Sequence, residues 1–289
     1  MNYRSIFNSK LFADHNIIVT GGGSGIGRCT AHELSALGAR VYLIGRKLDK
    51  LGRVQQEIME DGGKAEYRVC DIREEDAVTA CVKSIISECG QLHGLVNNAG
   101  GQYPAPMAAI NQKGFETVVR TNLTGGFLFA REVYNQSMSK HGGAIVNITA
   151  DNWGGMPGMA HSGAARAGMD NLTKTAAYEW GCAGVRVNAV APGWVASSGM
   201  DTYEGPFRAV IPTLVEQVPL KRLATEAEVS SLICFLLSEG ASFISGDTIR
   251  VDGAASQGSG VWPLPKARNS HSYNGFHRAV TPNVLQKKD

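Results

Sequence analysis

From Asn16 onward, short apolar runs rich in β-branched residues alternate with longer amphipathic segments. The run Ala144-Ile145-Val146-Asn147-Ile148 is apolar on both sides of the strand period, as expected of a strand covered on both faces; a half-exposed strand would alternate. Strands are predicted near Ile17–Thr20, Val41–Ile44, Ala65–Val69, Leu95–Asn97, Ala144–Ile148, Arg186–Val190 and Thr248–Val251, with helices in the gaps. That order predicts an α/β fold: a doubly wound parallel sheet of seven strands with helices on both faces. Ala196 to Val218 has no period and holds Gly199, Gly205, Pro206 and Pro212, so it reads as a mobile loop with short helices, placed to cover a bound substrate. Past Gly253 the composition shifts to Gly, Ser, Pro and basic residues, with isolated apolar Val261, Trp262, Leu264 and Phe276. We read one domain over 1–257 and a tail over 258–289, either partly disordered or an arm on a neighbouring subunit.

Bulk composition narrows the function classes. With 289 residues, 43% hydrophobic, the chain can bury a full core as one domain. A net charge of +2, without a Lys/Arg run interleaved with aromatics, argues against nucleic acid as a partner. The six cysteines are scattered, with no CxxC pair and no His cluster at ligand spacing, so no metal site is expected; free thiols suit a reducing cytoplasm. No stretch approaches the roughly 18 apolar residues of a membrane span, and Met1 to His15 lacks a signal-peptide pattern. The expectation is a soluble cytoplasmic protein.

Thr20-Gly21-Gly22-Gly23-Ser24-Gly25-Ile26-Gly27 follows the first strand and opens a helix ending near Gly38. A strand, a tight glycine turn and a helix N-terminus together form a pyrophosphate site: backbone N–H groups and the helix dipole face the anion, and missing Cβ atoms let it approach. After the second strand, where a carboxylate would hydrogen-bond the ribose 2′-hydroxyl of NAD, the chain has Gly45-Arg46-Lys47. A guanidinium there suits a 2′-phosphate, so the expected cofactor is NADP(H); Arg28, inside the first helix turn, is a poorer candidate. Asp71, before Ile72 at the end of the third strand, either accepts from the adenine amino group or caps the next helix, whose first turn holds Glu74 and Glu75.

The glycine run, Asn97-Asn98-Ala99-Gly100 and Ala191-Pro192-Gly193, in that order, resemble the short-chain dehydrogenase/reductase family over about Ala13 to Gly253. The resemblance implies a Rossmann fold in which Asn98, Ala99 and Gly100 line the adenine-ribose side and Pro192, Gly193 and Val195 meet the nicotinamide. It also implies a homotetramer assembled through the helices that hold Asn122 and Arg166. Within the family, His161-Ser162-Gly163-Ala164-Ala165-Arg166-Ala167-Gly168 with Gly100-Gly101-Gln102 looks like the peroxisomal trans-2-enoyl-CoA reductases and their dienoyl-CoA relatives.

Typical members carry a Tyr and, four residues later, a Lys. With Arg166 at the Lys position, Ser162 stands where the Tyr belongs, and Thr149 and Ala150 replace the upstream Ser. A serine beside an always-charged arginine is a poor base for an alcohol. Reducing a double bond conjugated to a thioester instead needs donors for a developing enolate oxygen. The expected roles are therefore Arg166 on the nicotinamide ribose, Ser162 donating to the thioester oxygen unless it only caps its helix, and Asn122 as the family's remaining polar group. Asp151 is a candidate proton donor or a turn cap, His161 and Tyr103 sit in substrate-facing loops, and water is a further acid. The expected partner is an acyl-thioester substrate. Two other functions stay open: a dehydrogenase of an isoprenoid alcohol such as citronellol, and a non-catalytic cofactor-binding protein.

Overall fold

The computed structural model describes residues 2–258, 264–267 and 269–286. Its seven strands, β1 (Asn16–Thr20), β2 (Arg40–Gly45), β3 (Lys64–Val69), β4 (Gly94–Asn97), β5 (Gly143–Ile148), β6 (Val185–Pro192) and β7 (Thr248–Val251), form one sheet in the order β3-β2-β1-β4-β5-β6-β7. Every neighbouring pair is parallel. Each predicted strand is present, with ends moved by at most two residues.

The uniform apolarity of the strands follows from coverage on both faces. Val19, Leu43, Val96, Val146 and Val190 point to one side, where they pack with α1 (Gly25–Ala36), α2 (Leu48–Glu60) and α9 (Glu226–Leu237). Their neighbours Ile18, Ile44, Leu95, Ile145 and Val187 point to the other, against α3 (Glu75–Cys89) and α5 (Gly125–Val133). The strand order reverses between β1 and β4, which opens a crevice at the carboxyl ends of those strands, where ligands of such sheets bind.

Two features organise that crevice. Between α4 (Gln112–Val119) and α5 the helix widens into a π turn over Arg120–Thr124, with Asn122 on it; such turns recur at functional sites. The long helix α7 (Ala160–Trp180) is fixed beneath the crevice by a buried amide ladder: Asn97 Nδ2 donates to Asn147 Oδ1 at 3.0 Å, and Asn147 Nδ2 to Thr173 Oγ1 at 2.9 Å. Residues 198–217 form short 3-10 turns around α8 (Gly205–Val210), as their irregular composition suggested. Another short helix, α6 (Ser139–His141), precedes β5. Among the described residues no helix is long and apolar enough to cross a membrane.

The described part of the tail packs on its own chain. Phe276 is buried against Tyr3, Cys29 and Ala227, with the Arg28 guanidinium 4.9 Å over its ring. Arg278 pairs with Asp61 at 2.9 Å, and the Asn283 and Val284 N–H groups donate to the Asp201 carboxylate. Scattered apolar residues anchor this tail because their pockets lie on distant elements; Val261 and Trp262 lie outside the described residues. Phe276→Ala removes the largest anchor and is expected to weaken docking by about 3 kcal/mol. Limited proteolysis checks it: cleavage beyond residue 264 should accelerate while the 1–257 fragment persists.

Candidate active site

The glycine turn is shaped by what a side chain would strike. Gly21 and Gly25 have φ of +66° and +58°, and a Cβ on Gly21 would lie 2.8 Å from Asn98 Nδ2 and 2.9 Å from Ala99 Cα. Thr20 ties the two strand ends together: its hydroxyl accepts from the N–H groups of Asn98 and Ala99, both at 3.0 Å, and Asn98 Nδ2 donates to Thr20 O at 3.0 Å.

Gly21, Ser24, Gly25, Ile26, Arg46, Asp71, Ile72, Asn98, Ala99 and Gly100 line one cleft of about 340 Å³; Gly27 sits behind it, against Asn98. Every residue assigned to the adenosine side is thus in one place. Arg46 is not alone there, because Lys47, Lys50 and Arg73 border the same cleft. Asp71 does not cap α3, whose N-cap is Glu74; both its oxygens accept from Arg73, which pushes its carboxyl down to about 2. Arg28 is spent on Glu57 at 2.7 Å and on Arg278 O. Glu226, facing Gly25, is pushed up to about 7 by burial and so opposes a bound anion weakly below neutral pH.

A second cleft of about 420 Å³ shares Ile26, Asn98, Gly100 and Ser197 with the first and adds Gln102, Thr149, Ala150, Arg166, Pro192, Gly193, Val195 and Tyr203. With those residues in common, the two form one continuous trough. Arg166 rises from α7, one turn after Ser162. Its Nη1 donates to Ile148 O, its Nε has no partner among the described residues, and burial lowers its guanidinium to about 10, so it is charged at neutral pH. A Cβ on Gly100 would lie 2.5 Å from Arg166 Nη2, which explains the glycine there.

Ser162 is not an N-cap, and its hydroxyl is not free for a substrate. It is fully buried and donates to Gln102 Oε1 at 2.7 Å, while Asn122 Nδ2 donates to it at 3.5 Å. Asn122 is itself clamped by one peptide group, accepting from Gly101 N–H at 2.8 Å and donating to Gly101 O at 3.0 Å. Gln102 Nε2 then reaches the Tyr203 phenol oxygen at 3.1 Å. Sequence reasoning placed Asn122, Ser162 and Arg166 together but missed Gln102 and Tyr203 as members of the group.

Asp151 lies outside the trough. It stands half-buried near Asp252 and Arg250, and burial, then the Asp252 charge, raises its carboxyl. His161 is also turned away: it is buried against Tyr103 at 4.6 Å between ring centroids, and its Nδ1 accepts from the Ser162 N–H.

The profile of a family described as enoyl-(acyl carrier protein) reductase matches residues 21–256. The chain belongs to the short-chain dehydrogenase/reductase family. It is therefore an NAD(P)(H)-dependent oxidoreductase of that family. A Bacillus subtilis (strain 168) relative, described as "Probable 2,4-dienoyl-CoA reductase", is 35% identical over 82% of this chain and 94% of its own length. The peroxisomal 2,4-dienoyl-CoA reductase of Danio rerio is 32% identical over 88% of this chain and 85% of its own. Among solved structures, the citronellol catabolism dehydrogenase (AtuB) of Pseudomonas aeruginosa PAO1 is 64% identical, with a TM-score of 0.81, covering 88% of this chain and 100% of that one.

The lining of the trough fits the family's dinucleotide. The Gly21 and Gly27 approaches leave room only for backbone, the first turn of α1 carries no acidic side chain and no side-chain cap, and Arg166, charged at neutral pH, lines the far end of the trough.

Proposed function

We propose that this short-chain dehydrogenase/reductase uses NADP(H) to reduce a carbon–carbon double bond conjugated to an acyl thioester. The observation that carries the reading is the replacement of the family's Tyr–Lys pair by a buried serine, its proton committed to Gln102, and an arginine that stays charged. Neither is a base for an alcohol proton, whereas a permanent cation and an amide suit an enolate oxygen. Relatives named as dienoyl-CoA reductases support the same chemistry.

The bound dinucleotide supplies the hydride. The chain's own residues do the rest: the Gly21–Gly27 turn receives the pyrophosphate, Arg46 with Lys47 and Lys50 holds the 2′-phosphate, and Arg166 steadies the nicotinamide ribose and adds positive potential. Pro192, Gly193 and Val195 fence the nicotinamide. Asn122 and Ser162 act as positioning residues behind Gln102. Asp151 has no role in this reading. The six unpaired thiols suit a cytoplasmic enzyme, and we propose a homotetramer in which the exposed Phe115 and Phe127 of α4 and α5 are covered.

A second reading, oxidation of an isoprenoid alcohol, is favoured by the 64% identity to the citronellol catabolism dehydrogenase. Initial rates separate the two: NADPH oxidation with straight and branched enoyl-CoA thioesters against NADP+ reduction with citronellol. Activity only on the alcohol overturns the thioester reading, and cofactor binding without turnover on either substrate overturns both. For the cofactor, Arg46→Ala is expected to reduce the preference for NADPH over NADH by about 10- to 100-fold, the loss of one or two charge-assisted hydrogen bonds. Equal affinities before and after the change would remove the 2′-phosphate from the reading.

A further inference from the structure

We propose that Tyr203 is the proton-transfer residue of this site, a phenol delivered from the loop after β6 in place of the one missing from α7. The inference follows from the direction of the hydrogen bonds. Gly101 presents both an N–H and a C=O to the Asn122 amide, so its orientation is fixed. Asn122 Nδ2 therefore donates to Ser162, whose own proton goes to Gln102 Oε1, and Gln102 Nε2 must donate to Tyr203. Each link fixes the next. The phenol oxygen at the end of the chain is an acceptor, and among the described residues its own proton has no acceptor.

That proton borders the trough. Tyr203 lines the cleft with Arg166, Gly193 and Val195. The ring is held against Phe207 at 5.0 Å between centroids and belongs to the same apolar cluster as Met200, Val284 and Leu285, so the lid and the tail end both support it. The other acids considered are elsewhere: Asp151 lies beside Asp252, and His161 is buried behind Ser162.

The assignment rests on the thioester reading for its direction. Once the β-carbon has gained the hydride from the reduced dinucleotide, the electron pair lies on the thioester enolate. A Cα–H bond then forms as the Tyr203 O–H bond breaks. The acyl chain ends two electrons reduced, the dinucleotide two electrons oxidised, and the phenolate of this half-exposed residue regains a proton from water. In the alcohol direction the same oxygen would take the hydroxyl proton.

Tyr203→Phe keeps the ring and removes only the hydroxyl. Expected on an enoyl-CoA with NADPH is a fall in kcat of about 100-fold or more, with KM and NADPH affinity within a few-fold of wild type. In deuterated water the wild-type product should carry deuterium at Cα in one configuration; the variant's residual product, protonated by solvent, should carry both. Gln102→Leu should lower kcat by a smaller factor, and Tyr178→Phe, at an exposed tyrosine near the far end of α7, should be unchanged. A Tyr203→Phe enzyme with kcat within threefold and a single Cα configuration overturns the proposal. If wild type turns over citronellol but no thioester, the thioester reading fails, and Tyr203 is decided by the kcat of the same variant on the alcohol. Wild type inactive on both overturns the assignment with the reading.

Discussion

Replacing Arg166 by methionine is expected to raise thermal stability while lowering kcat by at least about 100-fold. The guanidinium is buried, holds one backbone carbonyl and, among the described residues, leaves Nε unpartnered. Burial lowers its pKa to about 10 yet leaves it charged at neutral pH, so the fold bears the desolvation of an ion without a paired carboxylate. Methionine fills similar space without that charge, and exchanges of this kind gain about 1–4 kcal/mol, a few degrees in Tm. The catalytic loss follows because a fixed donor at the site of developing negative charge contributes about 10²- to 10³-fold. Arg166→Lys should restore part of the activity, since the charge survives but the fork does not. Calorimetry and initial rates read both effects. A variant that melts lower yet works normally would make Arg166 a structural residue and remove the main support for the proposed chemistry.

Some features were legible in the sequence because local pattern and tertiary demand agreed. The β-branched runs of β1, β2, β4, β5 and β6 have no helical period to compete, and burial on both faces demands apolarity at every position. The pyrophosphate turn was equally legible, since glycine spacing is a backbone requirement written directly in residue type. What stayed hidden depends on partners far away in the chain. Gln102 and Tyr203 are separated by 101 positions, and Tyr203 lies in a segment without period. Ser162 looked like a free donor because its acceptor, Gln102, lies 60 positions earlier. Asp71 is a different case: the sequence leaves it as an adenine acceptor or a helix cap, and its partner Arg73 is only two positions away. The tail looked loose because Phe276 meets Tyr3 and Arg278 meets Asp61 only after the sheet has brought distant segments together. The π turn at Arg120–Thr124 leaves no mark in hydrophobic spacing, though it sets where Asn122 points.

Gly27→Ala is expected to abolish tight dinucleotide binding, weakening NADPH affinity by at least about 100-fold and costing about 1–3 kcal/mol of stability through overpacking. The added methyl would lie 2.5 Å from Gly21 O and 2.4 Å from Asn98 Nδ2. Neither can yield cheaply. The first is backbone inside a turn with φ of +66°, and the second is held at 3.0 Å by Thr20 O on the strand that carries the turn. The start of α1 must therefore move away from β4, and its N–H groups lose their aim at the pyrophosphate. Gly52→Ala is the contrast: it lies in α2 with nothing within 4 Å of the new methyl, so helix propensity alone should add about 0.5–1 kcal/mol. Two identical chemical changes should thus shift Tm in opposite directions, and only one should alter an NADPH fluorescence titration. If Gly27→Ala binds NADPH as the parent does, the close contact between the glycine turn and Asn98 does not shape the cofactor site, and the trough described here is not where the dinucleotide lies.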